Sequence, residues 1–271
     1  MVVSPNKSII INESAGICRI TFNRPKMLNA INFDMAVALQ KVAADISVDK
    51  KIRVIIIDSS GDHFMAGGDI KSFKSFLDKK PNEKDLRNHF EETLTIIHSF
   101  VLKLSTMRQP VIGAIKGAVA GAGVSLMLAC DLVLASDDAF FNLAYCHLGT
   151  SPDGGSTYSL PRIVGLKRAF EMAMLGERFD AKVALEAGMI NRIIPSAMLN
   201  KEVDKLAIRL ANGPAIALGN TKALLNSSFQ RTLNEQLNAE TKSFIDCAIT
   251  EDFFEGVTAF TDKRSAKFVG K

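Results

Sequence analysis

The sequence predicts an α/β fold that ends in a helical subdomain. Three observations carry this. Short apolar runs at residues 54–57, 111–115 and 132–135 read as buried strands. Segments with apolar residues at helical spacing lie among them. From Ser196 onward every segment carries the helical period. We therefore expect a core over residues 1–195 and a helical subdomain over residues 196–271.

The elements follow in order. Residues 8–12 and 17–22 are β-rich and flank a turn at 13–16, which makes a hairpin. Asn23-Arg24-Pro25-Lys26 ends the second strand. Residues 33–46 have helical spacing, with Asn32 as N-cap. Residues 54–57 form a central parallel strand. After the loop 59–63, Gly67-Gly68 either lets the backbone approach a ligand or makes an ordinary turn. Residues 71–84 are charged and irregular and read as a mobile segment. Residues 85–104 place Leu94, Ile97, Val101 and Leu104 on one face of a long helix.

The stretch 111–131 is strand, glycine-rich turn (Gly117, Gly121, Gly123), then a buried helix at 124–130. Such a turn leaves N–H groups free at a positive helix end. It serves either tight packing or a phosphate or developing oxyanion. Strands at 132–135 and 139–143 come next, then a second glycine-rich loop at 149–157. A short helix at 158–164 contains Pro161. Helices at 167–175 and 181–187 and a strand at 189–194 complete the core. Helices at 199–211, 215–228, 232–249 and 252–262 follow.

Composition narrows the function. With 271 residues, 47% of them hydrophobic, the chain can bury a sizeable core. Its net charge of +4 lacks any basic block, so nucleic acid is not an expected partner. A mild cation excess does suit a phosphorylated ligand. Cys18, Cys130, Cys146 and Cys247 have no CxxC spacing and read as reduced thiols of a cytoplasmic protein. No leader pattern opens the sequence and no long apolar run predicts a membrane span. No cluster has metal-ligand spacing and no Gly-x-Ser-x-Gly elbow occurs. Ser125 and Leu126 stand where a GxGxxG dinucleotide motif needs glycine.

Four segments together resemble the crotonase (enoyl-CoA hydratase/isomerase) superfamily. They are Asn23-Arg24-Pro25-Lys26-Met27-Leu28-Asn29-Ala30, Phe64-Met65-Ala66-Gly67-Gly68-Asp69-Ile70-Lys71, the run from Lys116-Gly117 through Cys130-Asp131, and the tail Glu255-Gly256-Val257 to Lys263-Arg264. The resemblance spans nearly the whole chain. It implies a spiral of ββα units and C-terminal helices that assemble a homo-trimer or hexamer. It implies an acyl-CoA substrate, with coenzyme A part of that substrate and no separate cofactor. The backbone N–H groups of Gly68 and Ala122 would hold the thioester oxygen, each contributing roughly 3 kcal/mol to a developing enolate. Lys26, Met27, Ala66, Asp69, Ile70 and Lys71 match positions that line pantetheine and adenine. Phe260 and Lys263 match tail positions that reach CoA, often from a neighbouring subunit. The alternative for each lysine is a solvated surface charge.

The sequence departs from the hydratase pattern at both catalytic glutamates. Ser125 and Tyr145 occupy those positions. Neither hydroxyl replaces a carboxylate as a base for water. One acid remains in the second glycine loop, Asp153. By itself Pro152-Asp153-Gly154 reads as turn chemistry. Its surroundings resemble ring-1,2-epoxyphenylacetyl-CoA isomerases and Δ3,Δ2-enoyl-CoA isomerases, where this aspartate is the acid/base. The 4-chlorobenzoyl-CoA dehalogenases place a nucleophile there. Leu148, Leu160 and Tyr145 are expected as apolar walls around it, and His147 as a candidate for the acyl pocket. The expected activity is double-bond isomerisation. Hydration, thioester hydrolysis or dehalogenation, and a silent CoA-binding protein are the alternatives.

Overall fold

The computed structural model describes residues 2–271. Its strands are β1 (Ile9–Ser14), β2 (Ile17–Phe22), β3 (Val54–Ser59), β4 (Val111–Ile115), β5 (Ala118–Ala120), β6 (Leu132–Ser136), β7 (Phe140–Asn142), β8 (Phe179–Asp180) and β9 (Arg192–Ile194). The main sheet has the order β1-β2-β3-β4-β6-β9, parallel apart from the β1–β2 hairpin. A second, smaller sheet has the order β5-β7-β8. Single bridges Ile31–Gly68 and Met65–Val119 extend it. After each of β2, β3, β4 and β6 the chain thus visits the second layer before returning. This is the spiral that the resemblance implies.

Helices cover both faces of the main sheet. On one side α1 (Phe33–Val48) packs on α3 (Glu83–Thr106). Asn32 caps α1 by accepting from the Met35 N–H at 3.1 Å. Met35, Leu39, Val42 and Ile46 are buried at the helical spacing of one face. Burial of each such side chain contributes about 1.5–3 kcal/mol. On the other side α8 (Leu199–Ala211) lays Leu199, Val203, Ala207 and Ala211 on Val54, Ile56, Ile112, Ala114 and Leu134. The helical region after residue 195 therefore begins with a helix that seals the sheet. Among the described residues no helix is long and apolar enough to cross a membrane.

Three expectations need correction, and one strand goes unread. Residues 71–84 are not irregular: α2 (Ile70–Leu77) occupies the first half, capped by Asp69, whose carboxylate accepts from the Ser72 N–H at 3.1 Å. The central stretch is not strand, turn and helix alone, because β5 stands between β4 and α4 (Ala122–Leu128). The strand at 189–194 shrinks to β9, since Met189 and Ile190 are buried in the turn before it. β8 escapes detection because it has only two residues.

The remaining core helices are α5 (Ser156–Val164), α6 (Leu166–Leu175) and α7 (Ala181–Glu186). The C-terminal ones are α9 (Ala215–Ser227), α10 (Leu233–Ala248) and α11 (Glu251–Thr261). One buried cation ties α9 to the sheet. Lys222 is 8% exposed, and its Nζ bonds the carbonyls of Leu104 at 2.6 Å and Gln109 at 3.0 Å. The same ammonium pairs with the Asp131 carboxylate at 2.7 Å, which also accepts from the Val111 N–H that starts β4. Burial pushes the Asp131 carboxyl up and Lys222 opposes it. Lys222→Met strands that carboxylate and two carbonyls. It should lower unfolding free energy by about 3–5 kcal/mol in urea denaturation; a loss below 1 kcal/mol would show the pair to be dispensable.

Candidate active site

Two backbone turns, at Gly67 and at Gly121, sit side by side. The segment after β3 pairs in parallel with β5 through Met65: Met65 N–H donates to the Ala118 carbonyl at 3.1 Å and Ala120 N–H to the Met65 carbonyl at 2.8 Å. The pairing brings Gly67 against Gly121 and Ala122. A Cβ at Gly67 would lie 3.1 Å from the Ala120 carbonyl oxygen and 3.5 Å from the Ala122 nitrogen. Gly67 also has φ +94°, so only glycine fits without strain. The N–H groups of Gly68 and of Ala122, the first residue of α4, donate to no acceptor among the described residues. Both residues are half-buried. Unpaired N–H groups in a turn and at a helix start are the groups from which an oxyanion hole can be built.

The first amide segment is braced from outside. Arg24 pairs with Asp69 at 2.7 Å, and Ile31 bonds the backbone on both sides of Gly68. Asp69 is 3% exposed. Burial alone would raise its carboxyl, but hydrogen bonds from Arg24 and Ser72 and the Arg24 charge hold it below the usual range. Asn29 is fully buried and donates to the Ser60 and His63 carbonyls at 3.0 and 2.8 Å.

Asp153 lies on the far side of the second turn. Its Oδ1 accepts from the Tyr145 hydroxyl at 2.7 Å. Its backbone carbonyl accepts from Ser125 Oγ at 2.8 Å and Ser156 Oγ at 2.9 Å. The Tyr145 ring carbon bearing the hydroxyl is 3.9 Å from where a Gly121 Cβ would stand. One contact chain thus runs from the carboxylate to the amide turn. Ser125 and Tyr145, 3.2 Å apart, both face this loop. A Cβ on Gly154 would meet Ser125 Cβ at 2.8 Å, which fixes the loop's closeness to α4. Oδ2 of Asp153 engages no partner among the described residues.

The other named residues fall into groups. Met27, Asp69 and Lys71 line an open groove of about 430 Å³, together with Ser72, Ser75, Phe76, Lys79 and His89. Lys26, exposed, and Ala66, half-buried, flank it in sequence, as does Ile70 at the start of α2. Leu160 and Tyr145 are buried as expected, but Leu148 is 57% exposed and forms no wall. His147 bonds the Gly176 carbonyl at 3.0 Å, at the end of α6, rather than facing Asp153. Phe260 is 86% exposed on α11, and neither it nor the exposed Lys263 touches the groove within this chain.

Sequence reasoning missed two groups. Ser72, Ser75, Phe76 and Lys79 were hidden in a segment read as irregular, although Asp69 and the spacing of Phe73, Phe76 and Leu77 signal a capped helix. The other is His98, on α3. Its Nε2 accepts the Gly154 N–H at 3.2 Å and so holds the Asp153 loop. No local signal announces a contact across 56 positions.

Tyr145 gives a pH prediction. Burial, then the Asp153 charge, push its phenol far above the ordinary value of 10.0. It therefore stays protonated and donates. The unfolded chain releases this proton near pH 10, so stability falls as pH rises above that point. In an alkaline absorbance titration, the difference between wild type and Tyr145→Phe should show tyrosinate only on unfolding. A Tyr145 signal in the folded protein near pH 10 would contradict the contact.

Comparison with known proteins identifies the family. The family model described as enoyl-CoA hydratase/isomerase matches residues 12–271. The 1,2-epoxyphenylacetyl-CoA isomerase of Escherichia coli (strain K12) is 35% identical over 263 residues, covering 97% of this chain and 98% of that protein. The trans-2-decenoyl-(acyl-carrier-protein) isomerase of Streptococcus mutans is 30% identical, covering 98% and 99%. The crystal structure of an enoyl-CoA hydratase from Bacillus anthracis superposes with a TM-score of 0.90 at 28% identity, covering 97% of this chain and 100% of that one. With its spiral fold, its two free amides and a family match over nearly its full length, the chain belongs to the enoyl-CoA hydratase/isomerase (crotonase) family.

Proposed function

We propose that the protein is an acyl-CoA double-bond isomerase. One observation carries the reading: a single carboxylate, Asp153, is held by the Tyr145 hydroxyl beside the turn that bears the Ala122 amide. The thioester oxygen accepts from Gly68 and Ala122. Asp153 Oδ2 takes a proton from one acyl carbon, and the resulting dienolate charge builds on that oxygen. The same carboxyl then returns the proton two carbons away, and the double bond moves. Each amide contributes roughly 3–4 kcal/mol to the charged intermediate, and positioned proton transfer about 100- to 10,000-fold.

Hydration is disfavoured because it needs a second base for water. The two positions that carry glutamates in typical hydratases of the family, Ser125 and Tyr145, here spend their hydroxyls on Asp153 and its loop. The isomerase names of two relatives point the same way. The CoA part of the substrate would lie in the groove at Met27, where Lys71 and Lys79 add charge for its phosphates.

The reading extends to assembly. Phe229, Leu233, Phe244, Ile249, Phe254 and Phe260 are each at least 67% exposed, all at or beyond the end of α9. This apolar surface suits contact with further copies of the chain, and a trimer or hexamer would bring Phe260 and Lys263 of one copy toward another's groove.

Asp153→Asn should lower kcat on a 3-enoyl-CoA by at least about 100-fold with KM little changed. Tyr145→Phe should lower it less, by about 10-fold, as one hydrogen bond to the charged carboxylate is lost. Wild type incubated with a 2-enoyl-CoA should give no 3-hydroxyacyl product. Full activity of Asp153→Asn, or rapid hydration, would overturn the isomerase reading.

A further inference from the structure

We propose that Phe73 sets which acyl groups the site accepts, restricting it to chains that are unbranched next to the thioester carbonyl. The inference rests on the oxyanion role of Gly68 and deepens the reading above. A Cβ at Gly68 would lie 2.9 Å from Phe73 Cζ and 3.1 Å from Cε2. The tip of the ring therefore touches the very peptide whose N–H is free to grip the carbonyl. An acyl group whose oxygen sits on that N–H has its first carbons beside the ring.

The ring is braced. Phe90 of α3 meets it edge to face, with centroids 5.4 Å apart at 77°. His89 stacks on Phe76 at 4.0 Å and 19°, locking α2 onto α3 one turn further out. Swinging Phe73 aside would break its edge contact with Phe90, so the wall resists displacement. The opposite boundary is equally fixed. α3 runs on from Phe90 to His98, which holds the Asp153 loop at Gly154. Eight residues of helix separate the two, about 12 Å at 1.5 Å per residue. The acyl carbons that Asp153 reaches thus lie along α3, with the aromatic wall at the carbonyl end. A ring or a branch on the carbon next to the carbonyl meets Phe73. A linear unsaturated chain passes it.

The test uses saturated acyl-CoAs, which bind whether or not the enzyme isomerises anything. Affinities of CoA, hexanoyl-CoA and 2-methylhexanoyl-CoA are measured by calorimetry for wild type, Phe73→Ala and Phe73→Leu. Wild type should prefer the linear chain over the branched one by about 10-fold or more, the discrimination a packed apolar pocket gives to one methyl group. Phe73→Ala should cut this ratio to near one, Phe73→Leu should fall between, and the affinity for CoA itself should not move. An unchanged ratio in a folded Phe73→Ala, or a wild type that favours the branched chain, overturns the assignment of Phe73 while leaving the isomerase reading intact. A wild type that binds neither acyl-CoA overturns both. Loss of 3-enoyl-CoA turnover alone, with the binding ratio as expected, removes only the isomerase reading.

Discussion

Everything in this site depends on two main-chain segments lying closer together than side chains allow. Residues 65–68 and 118–122 exchange backbone hydrogen bonds, and the approach is so tight that a Cβ at Gly123 would stand 2.5 Å from the Met65 carbonyl oxygen. That closeness sets Gly67, next to Gly68, against the turn that bears the Ala122 amide. An amide held by a sheet and a helix start needs no reorganisation when charge develops nearby. The surrounding structure serves this constraint. The Arg24–Asp69 pair and Asn29 fix the first segment, while β4, β5 and α4 fix the second.

The chemistry follows from where the acid stands. The family's scaffold offers several positions around one thioester, and this chain leaves two of them without a carboxylate. Ser125 and Tyr145 are not idle there. One hydroxyl holds the loop of Asp153 by its carbonyl and the other holds the carboxylate itself. A single acid with a single donor suits a proton that leaves and returns. Two acids and a trapped water suit hydration. Under the proposed reading, the difference between these outcomes lies in Ser125, Tyr145 and Asp153, joined by Ser125–Tyr145 and Tyr145–Asp153 side-chain hydrogen bonds.

Much of this was legible in the sequence. The apolar runs that became β3, β4 and β6 are buried on both faces, so their composition alone declares them. The helices α1, α3 and α8 carry clear apolar stripes, and Asn32 caps where expected. The glycines of the two turns also announced themselves. What failed was either too short or too distant. β5 and β8, with three and two residues, offer no period to read. In α2 the lysines at 71 and 74 mask an apolar face of Phe73 and Phe76 that only matters once α3 packs on it. The His98–Gly154 bond and the Phe73–Gly68 contact arise from folding, not from local pattern.

The central claim is that Gly68 and Ala122 grip one carbonyl oxygen while Asp153 faces the carbons beside it. A crystal structure with a bound, non-reactive acyl-CoA analogue tests it most directly. The carbonyl oxygen is predicted to lie about 2.7–3.1 Å from both amide nitrogens, with the Asp153 carboxylate against the neighbouring acyl carbons. An analogue whose carbonyl meets neither amide, or whose acyl group turns away from Asp153, would contradict the account.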